Sequence, residues 1–163
     1  MTNVVVRVID IHVMRWRGGA PEYLVMKRSA GQLYEHIWQG VTGKIRDGES
    51  AWQAALRELR EETALAPQRM WTVDHVNFFY EAACDRLNSI PVFGVEVEDG
   101  HVQLSREHTR YKWCPVEEAA ALLLWEQQRQ GLLAFHDMLT KTTEKLRWME
   151  VNLKGSHDGS SRT

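Results

Sequence analysis

The stretch GKIRDGESAWQAALRELREETAL, residues 43–65, decides how the chain is read. Ser50 followed by Gln53 has the spacing of a capping box. Beyond it Trp52, Ala55, Leu56, Leu59 and Thr63 recur at helical intervals, and Pro67 stands where a helix has normally ended. A helix over 50–63 is therefore predicted. On that helix Glu58, Glu61 and Glu62 fall at i, i+3 and i+4, within about one 100° arc beside the apolar arc. Like charges at that spacing repel by a few tenths of a kcal/mol per pair, so the stack needs a reason.

A divalent cation supplies one. Mg²⁺ takes oxygen ligands from one or two carboxylates together with waters and substrate phosphates, and glutamates one turn apart on a rigid helix meet that demand. Arg57 precedes Glu61 by one turn and can orient it. Gly43 lets the backbone pass close to a ligand, where its carbonyl can reach the same ion, and Asp47-Gly48 reads as a turn delivering Glu49 to the helix. A glutamate-rich helix is by default a solvated face. The whole set shifts the balance: Gly43, Glu49, Arg57, Glu58, Glu61 and Glu62 at fixed intervals, with Leu59 and Leu65, arise by chance about 10⁻⁸ of the time per start position.

Outward from this stretch, Val4 to Trp16 and Tyr23 to Arg28 read as a hairpin around Arg17-Gly-Gly-Ala-Pro21. The segment 29–49 reads as a loop that holds brief strands at Ile37-Trp38 and Val41-Thr42. Trp71 to Ala82 and Ile90 to Val97 are predicted strands joined by a polar turn over Cys84 to Ser89, with a further turn at Glu98-Asp-Gly100 and a short strand at Tyr111 to Trp113. Pro115 to Trp125 and Gln127 to Trp148 are predicted helices, the apolar face of the second serving either a core or a homodimer. Residues 1–150 are expected to form one domain, and 151–163 a disordered polar tail. Strands and helices in this order give an α/β fold with a mixed sheet between helices.

Composition bounds the partners. A formal net charge of -2 in 163 residues offers no basic surface for a nucleic-acid polymer. Cys84 and Cys114 build neither a disulfide framework nor a metal knuckle, and neither a signal peptide nor a membrane span is expected. A reducing, cytoplasmic setting is the expectation.

The spaced set resembles the signature of the Nudix hydrolases, which cleave nucleoside diphosphates linked to a further moiety. The resemblance implies an α/β/α sandwich and Mg²⁺- or Mn²⁺-dependent attack of water on a pyrophosphate. It implies Glu58, Glu61 and Glu62 as metal ligands with the Gly43 carbonyl, Glu58 or a nearby carboxylate as the group that positions the water, and Arg57 and Glu49 as braces. The family pattern has glycine where this chain has Ala64, so an altered turn at the helix end is expected, with little catalytic effect.

Trp38-Gln-Gly-Val-Thr-Gly43, Glu107-His108 and Tyr111-Lys-Trp113 are similar to the bacterial dihydroneopterin triphosphate pyrophosphatases, which also take deoxynucleoside triphosphates. That similarity implies Glu107 as a further metal ligand, and Arg28, Thr42 and His108 as substrate contacts. The strand around Arg7 lacks the proline common there, which favours a general (deoxy)nucleoside triphosphate pyrophosphatase. Phe78, Phe79, Tyr80 and Trp38 are candidate base-stacking aromatics, each of which a core position would explain as well. Tyr80 also resembles an adenine-stacking residue of the dinucleoside polyphosphate hydrolases, the alternative reading, ahead of a non-catalytic nucleotide-sensing module.

Overall fold

Strand alternation sorts the side chains of Val8–Arg17 (β2) between two cores. Ile9, Ile11 and Val13 enter one and Met14 the other. The computed structural model describes residues 1–98 and 100–154. β2 is central in an eight-stranded mixed sheet. It pairs antiparallel with Ala20–Arg28 (β3) and with Val41–Lys44 (β5), and parallel with Arg86–Val97 (β7). Asn3–Val5 (β1) runs parallel along β7, whose other edge carries the long antiparallel strand Pro67–Glu81 (β6). Trp38–Gln39 (β4) and His108–Cys114 (β8) flank β3.

One face of the sheet is covered by Ala51–Thr63 (α1), which contributes Ala54, Ala55 and Leu59 to a core shared with Ile9, Ile11, Val41, Phe93 and Val95. The opposite face is covered by Val116–Leu122 (α2) and Glu126–Thr140 (α3), with Leu132, Phe135 and Met138 packed on Met14, Trp71 and Val92. Glu144–Met149 (α4) completes the chain's helices among the described residues. The α/β/α layering expected of the sequence is thus the layering found. The apolar face of α3 supplies Leu132, Phe135, Met138 and Leu139 to the core beneath it.

Several boundaries differ from the sequence reading. The helix expected to run to Trp148 breaks after Thr140, because threonine hydroxyls compete for its last carbonyls. Thr140 Oγ1 donates to His136 O at 2.7 Å and Thr142 Oγ1 to Asp137 O at 3.3 Å. The turn expected over Cys84 to Ser89 sits earlier, at Ala82–Cys84 with Asp85 left-handed, since the Arg86–Glu81 ion pair at 2.6 Å zips the hairpin closed. The expected tail does not begin at residue 151: Val151 N–H donates to Met70 O at 2.8 Å, and Val151 and Leu153 pack on the core. Residues 155–163 of that tail, and Asp99 of the expected turn at 98–100, lie outside the described residues. The helix end at Ala64 is not altered. Ala64 takes the left-handed conformation (φ 59°) that glycine would adopt, and its N–H donates to Arg60 O at 2.9 Å.

Candidate active site

Local sequence builds the first half of the site. Ser50 caps α1, its side chain accepting from Gln53 N while the Gln53 side chain accepts from Ser50 N. This fixes the helix phase: Leu59 faces the core, and Glu62, one residue from the apolar arc, is carried inward with it. Glu58 is half-buried, and Glu61 stays near solvent. β5 passes directly beside the helix. A Cβ on Gly43 would overlap the Glu58 carboxylate, so glycine is required here for space rather than for an unusual φ.

Arg57 ties these pieces together. Its Nε and Nη2 grip Glu49 at 2.6 and 2.9 Å, Nη2 also donates to Lys44 O at 2.8 Å, and Nη1 reaches Glu58 at 2.7 Å and Glu61 at 3.2 Å. A planar guanidinium can hold this many acceptors at once, where an ammonium could not. The grip of Arg57, with the Arg46 amide, holds the Glu49 carboxyl down to about 2.

The second half comes from far along the chain. The loop before β8 is fastened to the end of β3, since Ser29 N–H donates to Glu107 O at 2.8 Å and Ser29 Oγ to Arg106 O at 2.8 Å. Glu107 is thereby set beside Glu62, whose carboxyl donates a hydrogen bond to it when protonated. Glu62 Oε2 is buried and finds no donor among the described residues. Burial, with Glu107 and Glu58 alongside, pushes the Glu62 carboxyl up to about 9. Burial also raises Glu58, with smaller contributions from Glu61 and Glu107. Arg28 lies near enough for its charge to favour ionised Glu62 and to disfavour protonation of His108. It also donates through Nε to Leu33 O at 2.7 Å.

These groups have the chemistry of a hard-cation site. The residues are oxygen donors, the glycine leaves room beside Glu58, and the buried Glu62 oxygen lacks a partner, which a cation would relieve. Among the described residues no three acidic, histidine or cysteine side chains already close into a ligand cage, because Glu58 is held by Arg57 and Glu61 by Arg57 and Arg46.

The remaining candidates lie around this centre. His108 is buried, paired with Gln39 at 3.0 Å, and held down to about 4 by burial and then by Arg28. Gln39 was not singled out in the sequence; its alternation with Trp38 in a two-residue strand is too short a signal. Trp38 is half-buried and packs against the α2–α3 core. Thr42 hydrogen-bonds Asp10 on the face of the sheet away from the carboxylates. Tyr80 is exposed near the tip of the β6–β7 hairpin, its hydroxyl donating to Asp85 at 2.9 Å.

Comparison with known proteins accords with this geometry. The family profile of the NUDIX domain matches residues 4–135. An asymmetrical bis(5'-nucleosyl)-tetraphosphatase of Caenorhabditis elegans is 31% identical over 139 residues, 83% of this chain and 98% of that protein. A dihydroneopterin triphosphate diphosphatase of Escherichia coli is 30% identical over 112 residues, 61% of this chain and 74% of that protein. The crystal structure of a C. elegans Ap4A hydrolase binary complex superimposes with a TM-score of 0.69 at 27% identity, covering 83% of this chain and 98% of that one.

Proposed function

This chain belongs to the Nudix family of hydrolases, and from that premise we propose that it cleaves a phosphoanhydride bond of a dinucleoside tetraphosphate asymmetrically, giving a nucleoside triphosphate and a nucleoside monophosphate. The observation that carries the chemistry is the buried, partly unpartnered Glu62 carboxyl between Glu58 and Glu107. The choice of substrate is supported by likeness to the C. elegans tetraphosphatase along 98% of that protein's length, and by the exposed Tyr80 on the hairpin as a stacking surface for a base.

In this reading Glu58, Glu61, Glu62, Glu107 and the Gly43 carbonyl hold the metal. A divalent cation, Mg²⁺ or Mn²⁺, supplies charge neutralisation on the phosphate oxygens and makes an attacking water easier to deprotonate. Burial, with Glu107 and Glu58 alongside, favours a proton on Glu62 in the free protein, and once freed of it the carboxylate can accept the proton of water. Arg57 and Glu49 brace the helix carboxylates without touching the substrate. Arg28, whose charge acts on both Glu62 and His108, binds a phosphate, with His108 lining the approach and Trp38 a further aromatic contact.

The second reading is hydrolysis of dihydroneopterin triphosphate or a deoxynucleoside triphosphate to the monophosphate and pyrophosphate, favoured by the likeness to the E. coli diphosphatase. Incubation with Mg²⁺ and a panel of diadenosine tetraphosphate, dihydroneopterin triphosphate, dATP and ADP-ribose separates them. ATP plus AMP from the tetraphosphate is the expected product pair. Pyrophosphate from the triphosphates alone would transfer the assignment to the second reading, and no turnover of any substrate would overturn both.

A further inference from the structure

Asp10 is a carboxylate in the middle of a buried strand, and its three hydrogen-bond partners, Thr42, Gln128 and Asn77, are all neutral. Asn77 Nδ2 donates to Asp10 Oδ2 at 2.6 Å. A buried ionisable group without a cation beside it is costly to keep, and an apolar residue would serve the core better. The partners come from three separate elements: Thr42 from β5, Gln128 from α3 and Asn77 from β6. One helical turn beyond Gln128, Gly131 lets α3 settle on the sheet, since a Cβ there would stand 3.3 Å from both His12 Nε2 and Val92 Cγ1. Asp10 and Thr42 are register partners, and the next pair, Ile9 and Gly43, belongs to the opposite face. The residue after Thr42 is thus the glycine whose missing Cβ accommodates the Glu58 carboxylate.

We propose that Asp10 is a positioning residue for the carboxylate site, holding Thr42 from the reverse side of the sheet and so fixing the backbone of Gly43 against Glu58. The inference rests on the hydrolytic reading of that site. At residues 42 and 43 one strand serves both faces: Thr42 lies on the Asp10 side, and Gly43 beside it shapes the space for Glu58 on the other. The two amide partners also indicate which substitution should spare the arrangement. Asn77 Oδ1 and Gln128 Oε1 are buried without partners, so either amide can reverse and accept from an asparagine placed at residue 10.

The test compares wild type, Asp10→Ala, Asp10→Asn and Thr42→Val by amide hydrogen exchange and by Mg²⁺ titration of hydrolysis. In Asp10→Ala, protection of the 41–44 amides is expected to fall by about tenfold or more relative to the α1 amides. Its Mg²⁺ half-saturation should rise by about 10-fold or more, as for other residues supporting metal ligands from behind. Thr42→Val, which removes only the hydroxyl, should shift both in the same direction, and Asp10→Asn should stay within about threefold of wild type because its amide partners can reverse. Unchanged exchange at 41–44 in both Asp10→Ala and Thr42→Val would overturn the proposal, as would altered exchange with unchanged metal dependence. Were the wild type to hydrolyse nothing, the functional reading would fall, while the exchange measurement would still decide whether Asp10 fixes the strand.

Discussion

Glu62 is drawn in two directions: its helix position carries it into the core, and its neighbours are other carboxylates. The metal-free protein resolves this by keeping a proton on it. The sign of the consequence follows from a folded pKa of about 9 against an ordinary 4.5. Its contribution to stability is full below pH 4.5 and is lost as pH rises from there through about 9. Glu62→Gln, which mimics the protonated form, should therefore flatten the decline in urea midpoint between pH 5 and 9 and raise the midpoint at pH 8. Mg²⁺ should stabilise the wild type at pH 8 and not the variant. Hydrolysis should fall by about 10²-fold or more, the usual range for a lost acid–base or ligand group. A variant with wild-type turnover and an unchanged pH profile would remove Glu62 from the site.

At the scale of elements, α1 is fixed at both ends by local chemistry. Its start has the reciprocal Ser50–Gln53 bonds, and its end has Ala64 in a left-handed conformation that costs a non-glycine residue about 1 kcal/mol. Ala64→Gly removes that strain and restores the residue of the family pattern. It is expected to stabilise the protein by about 0.5–1 kcal/mol, less whatever glycine loses in unfolded-chain entropy. Turnover should not change, since the cap uses only the backbone N–H. Equilibrium denaturation and a rate assay on the same preparations check both. This element was almost wholly legible in the sequence, because caps and apolar spacing act within a few residues of one another. The end of α3 was not: Thr140 and Thr142 look compatible with a continuing pattern until their hydroxyls are seen competing for its carbonyls.

Across the whole molecule, buried titratable groups oppose one another. Burial holds His12 and His108 down to about 4, so each stays neutral in the fold while the unfolded chain takes up protons below about 6.5. Their contributions are present above 6.5 and are lost as pH falls towards 4. Asp10, raised to about 6 by burial, has the reverse sign: its contribution is full below 3.8 and is lost as pH rises through 6. The His12→Gln protein, whatever its midpoint at pH 7, should gain on the wild type as pH falls from 6.5 to 4. A constant difference in denaturation midpoint across that window would show that His12 is not kept neutral by the fold.

By itself the sequence determined the sheet-and-helix class, the extent of α1 and the carboxylate stripe with its glycine and arginine, since each depends on residues within one or two turns of the chain. Asp10 and His12 were visible only as polar interruptions in a β-branched strand, a hint of polar positions on its reverse face. Only the tertiary structure decided that Glu62 is buried, that Glu107 stands beside it, that Thr42 turns away towards Asp10, and that His108 pairs with Gln39. Those facts depend on sheet register and on a loop fastened to the end of β3. Register is set by the packing of strands distant in sequence, and a period of two along a strand says which side chains share a face without saying what meets them there.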